Sequence, residues 1–189
     1  MRKKILAIVS ILFALSVGTA NLSLKVQAQS IPINTFYSSI SVQVDNTSKN
    51  ELYSFLTNIS NDQLWYPGIS STILVKKGAS NLVGNEYIQS ANVNGLITNT
   101  TIDVLAAKKN HYFLIQGKGD VASYTALYTF SNINNSKNNH GGIYTLSSVY
   151  QVPGLTKDQF TQYISYALSG LLTYYKSTGK VTVNFVIQQ

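Results

Sequence analysis

The chain has 189 residues, 44% hydrophobic and 11% charged, enough to bury a sizeable core and short for two domains. Its formal charge of +7 is concentrated at the front: without Arg2, Lys3, Lys4 and Lys25, ten basic side chains stand against seven acidic ones, too weak and scattered an excess for a nucleic-acid partner. The lack of Cys excludes a disulfide scaffold, a thiolate metal site, a cysteine nucleophile and a lipoprotein anchor.

Arg2-Lys3-Lys4 is followed by an apolar run from Ile5 to Val17 and by small residues at Gly18-Thr19-Ala20 and Val26-Gln27-Ala28. That order predicts a secretory signal peptide over residues 1–28, leaving 29–189 as a single domain. The apolar run covers about thirteen residues, whereas a spanning helix needs roughly twenty. The expected product is exported to a periplasm or out of the cell, with no stable membrane insertion after cleavage.

Phe36 to Val44 alternates with period two, so Ile40, Val42 and Val44 share one face of a half-buried strand. Ser48-Lys49-Asn50-Glu51 has the pattern of a capping box, in which the Ser hydroxyl and the Glu carboxylate each take up a free backbone amide. Leu52, Phe55, Leu56 and Ile59 then fall on one helical face. Asn61-Asp62 breaks the helix and allows one more turn through Leu64-Trp65, which Pro67-Gly68 ends.

Beyond Gly68 the period returns to two and predicts a meander of antiparallel strands. They run over Ser71–Lys76, Tyr87–Val93, Leu96–Leu105, His111–Gly117, Val121–Phe130 and Ile143–Val152. Asn94-Gly95 is the strongest hairpin signal among them. Residues 132–142 read as a polar, Asn-rich loop. A second capping box, Thr156-Lys157-Asp158-Gln159, opens a long helix whose apolar stripe is Phe160, Ile164, Ala167, Leu168, Leu171, Leu172 and Tyr175. Gly179 ends it, and Val181 to Ile187 reads as a last edge strand or an ordered tail.

This order is α+β: a long antiparallel sheet that must curl to cover its apolar face, with the C-terminal helix as the one element able to plug the concavity. The strand Ile40–Val44, the helix residues Leu52, Phe55 and Leu56, the segment from Asp62 to Ile69 and the helix Phe160–Tyr175 together resemble the START-like superfamily of polyketide cyclase/dehydrase and lipid-transport proteins. The resemblance implies a helix-grip fold with an internal cavity.

Candidate chemistry is sparse. The two histidines, His111 and His140, have no acidic cluster beside them, and no metal or cofactor site is expected. Of the seven acids, Glu51, Asp62, Asp120 and Asp158 have local work at caps and turns and Asp45 closes the first strand, which leaves Glu86 and Asp103 as the carboxylates for any proton transfer.

Tyrosine is the unusual feature, with thirteen in the chain. Tyr124, Tyr128 and Phe130 share one strand parity, as do Tyr144, Leu146 and Tyr150. Such rings suit a pocket that holds an apolar ligand and orients it by a few hydroxyls, and they equally suit a filled core. The expected function is binding of a hydrophobic small molecule or lipid, lined by Tyr124, Tyr128, Tyr144, Tyr150, Ile164, Leu168 and Leu171, with Trp65 near the entrance. The alternatives are a cyclase- or dehydrase-type enzyme using Glu86 or Asp103 with a Tyr hydroxyl on a carbonyl substrate, and a protein-interaction module with a filled cavity.

Overall fold

A computed structural model describes residues 32–79, 82–93, 96–133, 141–176 and 181–188. Segment 1–28, read above as a signal peptide, Asn94-Gly95, residues 134–140 with His140, and Gly179 lie outside the described residues.

The chain runs β1 (Ile33–Asp45), α1 (Lys49–Thr57), a 3-10 turn (Ile59–Asn61), α2 (Asp62–Trp65), β2 (Ile69–Lys76), β3 (Glu86–Val93), β4 (Leu96–Lys108), β5 (Tyr112–Gly119), β6 (Ser123–Asn132), β7 (Gly141–Pro153), α3 (Lys157–Tyr175) and β8 (Val181–Gln188). Among the described residues the strands form one eight-stranded antiparallel sheet in the order β2-β3-β4-β5-β6-β7-β1-β8. The meander is thus built of neighbours in sequence, and the last segment is an edge strand against β1. The fold is α+β, a curled antiparallel sheet around a long C-terminal helix.

Local chemistry accounts for the helix starts. The Ser48 hydroxyl accepts from the Glu51 amide at 3.2 Å while the Glu51 carboxylate accepts from the Ser48 amide at 2.7 Å. Thr156 and Gln159 repeat the exchange at the head of α3, at 3.3 and 2.9 Å. Such reciprocal caps satisfy amides that the first turn leaves free. Gly68, with φ of 87°, makes the turn between α2 and β2, a backbone conformation that strains any residue bearing a Cβ.

The inward parity of each strand carries the core. Phe36, Val42, Val44, Leu52, Phe113 and Leu171 are wholly buried, and Phe36 stacks on Phe160 of α3 with ring centroids 4.5 Å apart. On α3, Phe160, Ile164, Ala167, Leu168, Leu171 and Tyr175 face the sheet as the stripe predicts. Leu172 does not: it stands at the margin of the stripe and is 39% exposed. Gly170 lets the helix approach the α2–β2 turn, since a Cβ there would overlap the Trp65 carbonyl oxygen and lie 2.8 Å from Pro67 Cδ.

Candidate functional site

The interior is not filled evenly. Around α1 and the C-terminal half of α3 the inward side chains Ile102, Val104, Phe113, Phe130, Tyr144, Leu171 and Tyr175 are all buried. Towards α2 and the first turns of α3, the inward positions Thr72, Gln89, Thr100, Tyr124, Tyr128, Leu146 and Tyr150 keep part of their accessible surface. Strand register places Gln89 opposite Thr72 and Thr100, and Tyr124 opposite Tyr150, so these half-covered positions line one concave region. These side chains point inward, and Tyr124, Tyr128, Leu146 and Tyr150 pack against the core, yet all keep part of their surface accessible, so the inner face of the sheet is a partly open hollow towards α3 here.

Its wall on β6 and β7 is aromatic. Tyr124 and Tyr150 lie with centroids 5.4 Å apart, and Tyr150 lies 5.0 Å from Phe160. Tyr128 is 6.1 Å from Phe113 and 6.3 Å from Tyr144. Gly117 makes room for this wall, because the Tyr124 ring occupies the space its side chain would take. At the side of the hollow, the Tyr66 and Tyr163 hydroxyls hydrogen-bond to each other and join the α2–β2 turn to α3. Tyr163 remains 44% exposed, which places this pair at the rim.

The charge of one carboxylate bears on two of these phenols, Tyr124 and Tyr128. Asp62 opens α2, and its Oδ2 accepts from Gln89 Nε2 at 3.0 Å; the same amide also reaches Thr72 Oγ1 at 3.4 Å. Burial pushes the Asp62 carboxyl up to about 7, against the opposing pull of Gln89 and, more weakly, of the Trp65 indole. The Trp65 N–H stands near enough to favour the charged form but outside hydrogen-bond geometry, and it has no partner. No Lys, Arg or His among the described residues contributes to the Asp62 environment.

The phenols shift with it. Burial raises Tyr124, with further contributions from Tyr150, Asp62 and Tyr163. Burial raises Tyr128 too, and Asp62 is the largest of the charges acting on it. Burial likewise raises Tyr66, Tyr150 and Tyr163. All five stay protonated in the neutral range, and one of the Tyr66 and Tyr163 hydroxyls donates its proton to the other.

Of the lining residues expected from sequence, Tyr124, Tyr128 and Tyr150 share the half-covered wall, and Trp65 sits beside Asp62 on α2. Tyr144, Ile164, Leu168 and Leu171 are buried, with 0–8% of their surface accessible, and lie in the packed core around the hollow. Glu86 and Asp103 face each other across β3 and β4 on the outer side of the sheet, because Tyr87, Ile102 and Val104 take the inward parity. The interior carboxylate is instead Asp62, which local pattern assigns to a helix break. The signal for it was a single acid three residues before the only Trp, and its surroundings come from strands distant in sequence.

Neither a family model nor a curated protein matches the chain. Solved structures do. A START superfamily protein from Mycobacterium smegmatis superposes with a TM-score of 0.62 at 11% identity, over 75% of this chain and 95% of that one. A conserved protein from Geobacillus kaustophilus gives 0.58 at 14% identity, over 79% and 98%. A protein from Rhizobium leguminosarum gives 0.52 at 8% identity, over 77% and 99%. The fold is therefore START-like.

Proposed function

We propose that this protein binds a hydrophobic small molecule or lipid in the hollow between the sheet and α3. The observation that carries the reading is the set of inward-pointing but incompletely covered side chains, Tyr124, Tyr128, Leu146 and Tyr150 among them, beneath a helix whose other inward residues are packed. Ring bodies give such a ligand apolar area and their hydroxyls orient it. The START-like fold supports the same reading. Mass spectrometry of a solvent extract from the purified protein tests it: a reproducible stoichiometric apolar compound is expected, and a consistently empty protein that also takes up no apolar probe overturns it.

Export belongs to this proposal. The basic cluster, apolar run and small residues of segment 1–28 support secretion with cleavage near Ala28. Among the described residues no helix is long and apolar enough to cross a membrane. The intact mass of the protein recovered from its native compartment checks the cut: retention of residues 1–28 refutes it.

A second reading is favoured by one observation. A carboxyl that titrates near neutrality beside protonated phenols is poised for proton transfer on a carbonyl substrate, with Asp62 in the part first expected of Glu86 or Asp103. Exchange of α-protons of the extracted ligand into deuterated water, catalysed by the protein and lost in Asp62→Asn, would support it.

A further inference from the structure

The sheet ends in two edges, and they are built differently. β2 forms one and β8 the other, and among the described residues neither has a strand on its far side. A free edge offers a row of unpaired amides and carbonyls to any extended chain, and folds commonly protect it with lysines, prolines or bulges. β2 is protected in this way. Its pairing with β3 breaks register twice, between Ile69 and Ser71 and between Leu74 and Lys76, so only Ser71–Leu74 runs regularly. Lys76 and Lys77 then stand exposed at its end. The exposed Ile73, Leu74 and Val75 therefore sit on a short, irregular stretch bordered by charge.

β8 has none of these devices. Val181–Gln188 pairs with β1 through successive positions without a shift, from Val44 opposite Val181 to Tyr37 opposite Gln188. It holds no charged residue, no Pro and no Gly. Val181, Val183 and Ile187 pack against the core on the inner face. Thr182, Asn184, Val186 and Gln188 point outward and are exposed, Val186 by 60%.

From this contrast we infer that β8 is an assembly edge: two copies of the chain pair their β8 strands antiparallel about a two-fold axis, so that two eight-stranded sheets continue as one. The occupant is a second copy because the strand meets itself without conflict. A two-fold axis normal to the sheet sets inner-face residues against inner-face residues and outer against outer. Every residue it brings together within Val181–Gln188 is uncharged, so no like charges meet, and no side chain on the strand selects a charged foreign segment. The same axis limits growth. Pairing of the two β8 strands uses up the unprotected edge of both copies and leaves only the bulged, lysine-bordered β2 edges outward, so the assembly closes at two. A single edge ladder is smaller than a standard interface, which puts association in the micromolar range. Dimerisation of this kind is independent of what the hollow binds.

Sedimentation equilibrium of the purified protein over about 5–500 μM tests the edge, and a reversible monomer–dimer equilibrium without larger species is expected. Val186→Lys, which places a cation on each of the two pairing strands, should weaken dimerisation about tenfold or more, whereas Ile73→Lys on the other edge should leave it within about twofold. Both side chains are exposed, so neither change empties the core. Amide hydrogen exchange gives a second readout on the unsubstituted protein. Alternate β8 amides, those turned away from β1, should gain protection as concentration rises through the dimerisation range, and the free amides of β2 should not. A monomer at every concentration, assemblies that keep growing, a dimer unchanged by Val186→Lys, or protection that appears at β2 instead overturns the β8 interface. None of these outcomes bears on hydrophobic-ligand binding, which the solvent extract tests separately.

Discussion

Replacing Asp62 by Asn should stabilise the empty protein at alkaline pH and do little in acid. In an unfolded chain an aspartate titrates near 3.9, whereas burial in the fold moves Asp62 up to about 7. Between those values the folded state holds a proton that the unfolded state has released, so stability declines as pH rises from about 4 to about 7 and stays low above it. Three pKa units correspond to about 4 kcal/mol, and the surface that Asp62 keeps towards the hollow lowers the expected cost to about 2–4 kcal/mol. Asn keeps the shape and can still bond Gln89, but has no charge to bury. Urea denaturation of both proteins across pH 4.5 to 8.5 reads the difference, and because every other group titrates alike in the two, subtraction isolates Asp62. At an m-value of about 2 kcal/mol per molar urea, the variant's midpoint should exceed that of the unsubstituted protein by about 1–2 M at pH 8 and converge with it near pH 4.5. Parallel stability curves, or a variant less stable at pH 8, would show that the carboxylate is solvated or already paired.

Gly170→Ala should destabilise the fold by about 2 kcal/mol in urea melts, although Ala in a helix ordinarily gains about 1 kcal/mol over Gly, because the new Cβ meets the Trp65 carbonyl and Pro67. A stabilising result would mean that α3 does not press on that turn. Ser38 and Ser148 share a buried hydroxyl pair at 2.6 Å, so Ser148→Ala should cost about 1–3 kcal/mol by leaving Ser38 unsatisfied, and the double change to Ala should recover much of it. Simple additivity in that double-mutant cycle would refute the pairing. Phe160→Ala removes a ring that is 1% exposed and stacked on Phe36, and should cost about 3–5 kcal/mol in the same melts; a loss below 1 kcal/mol would mean that the head of α3 is not anchored there.

Features with a local cause were legible before any coordinates. The strands followed from alternation and turn chemistry, both capping boxes formed as their residues dictated, and the shared parity of Tyr124 and Tyr128 and of Tyr144 and Tyr150 put them on one face. Features with a distant cause were hidden. Asp62 reads locally as a turn residue, and only the approach of Gln89 on β3 gives its carboxylate a partner on the inner side of the sheet. Gly170 reads as a weak point in a helix, whereas it is the contact that lets α3 lie against the Trp65-Tyr66-Pro67 turn. Leu172 belongs to the stripe by spacing, but helix rotation at the margin turns it outward. Parity put the tyrosines on one face without saying which side α3 would cover; the β1–β7 register puts Tyr144 and Tyr150 on the same face as the buried Val42 and Phe36.

The placement of β1 bears on how such a chain acquires its shape. Though it leads the described fold, β1 pairs on one side with β7, from Gly141 to Pro153, and on the other with β8, from Val181 to Gln188. Both ladders close loops of roughly a hundred residues or more, the kind of non-local pairing that slows folding. During synthesis the β2–β6 meander can zip up from neighbouring hairpins as it emerges, while the first strand must wait, unpaired, for nearly all the polypeptide to appear. Closure of the domain is thus deferred to the end of translation, when β7 and β8 become available to flank the first strand.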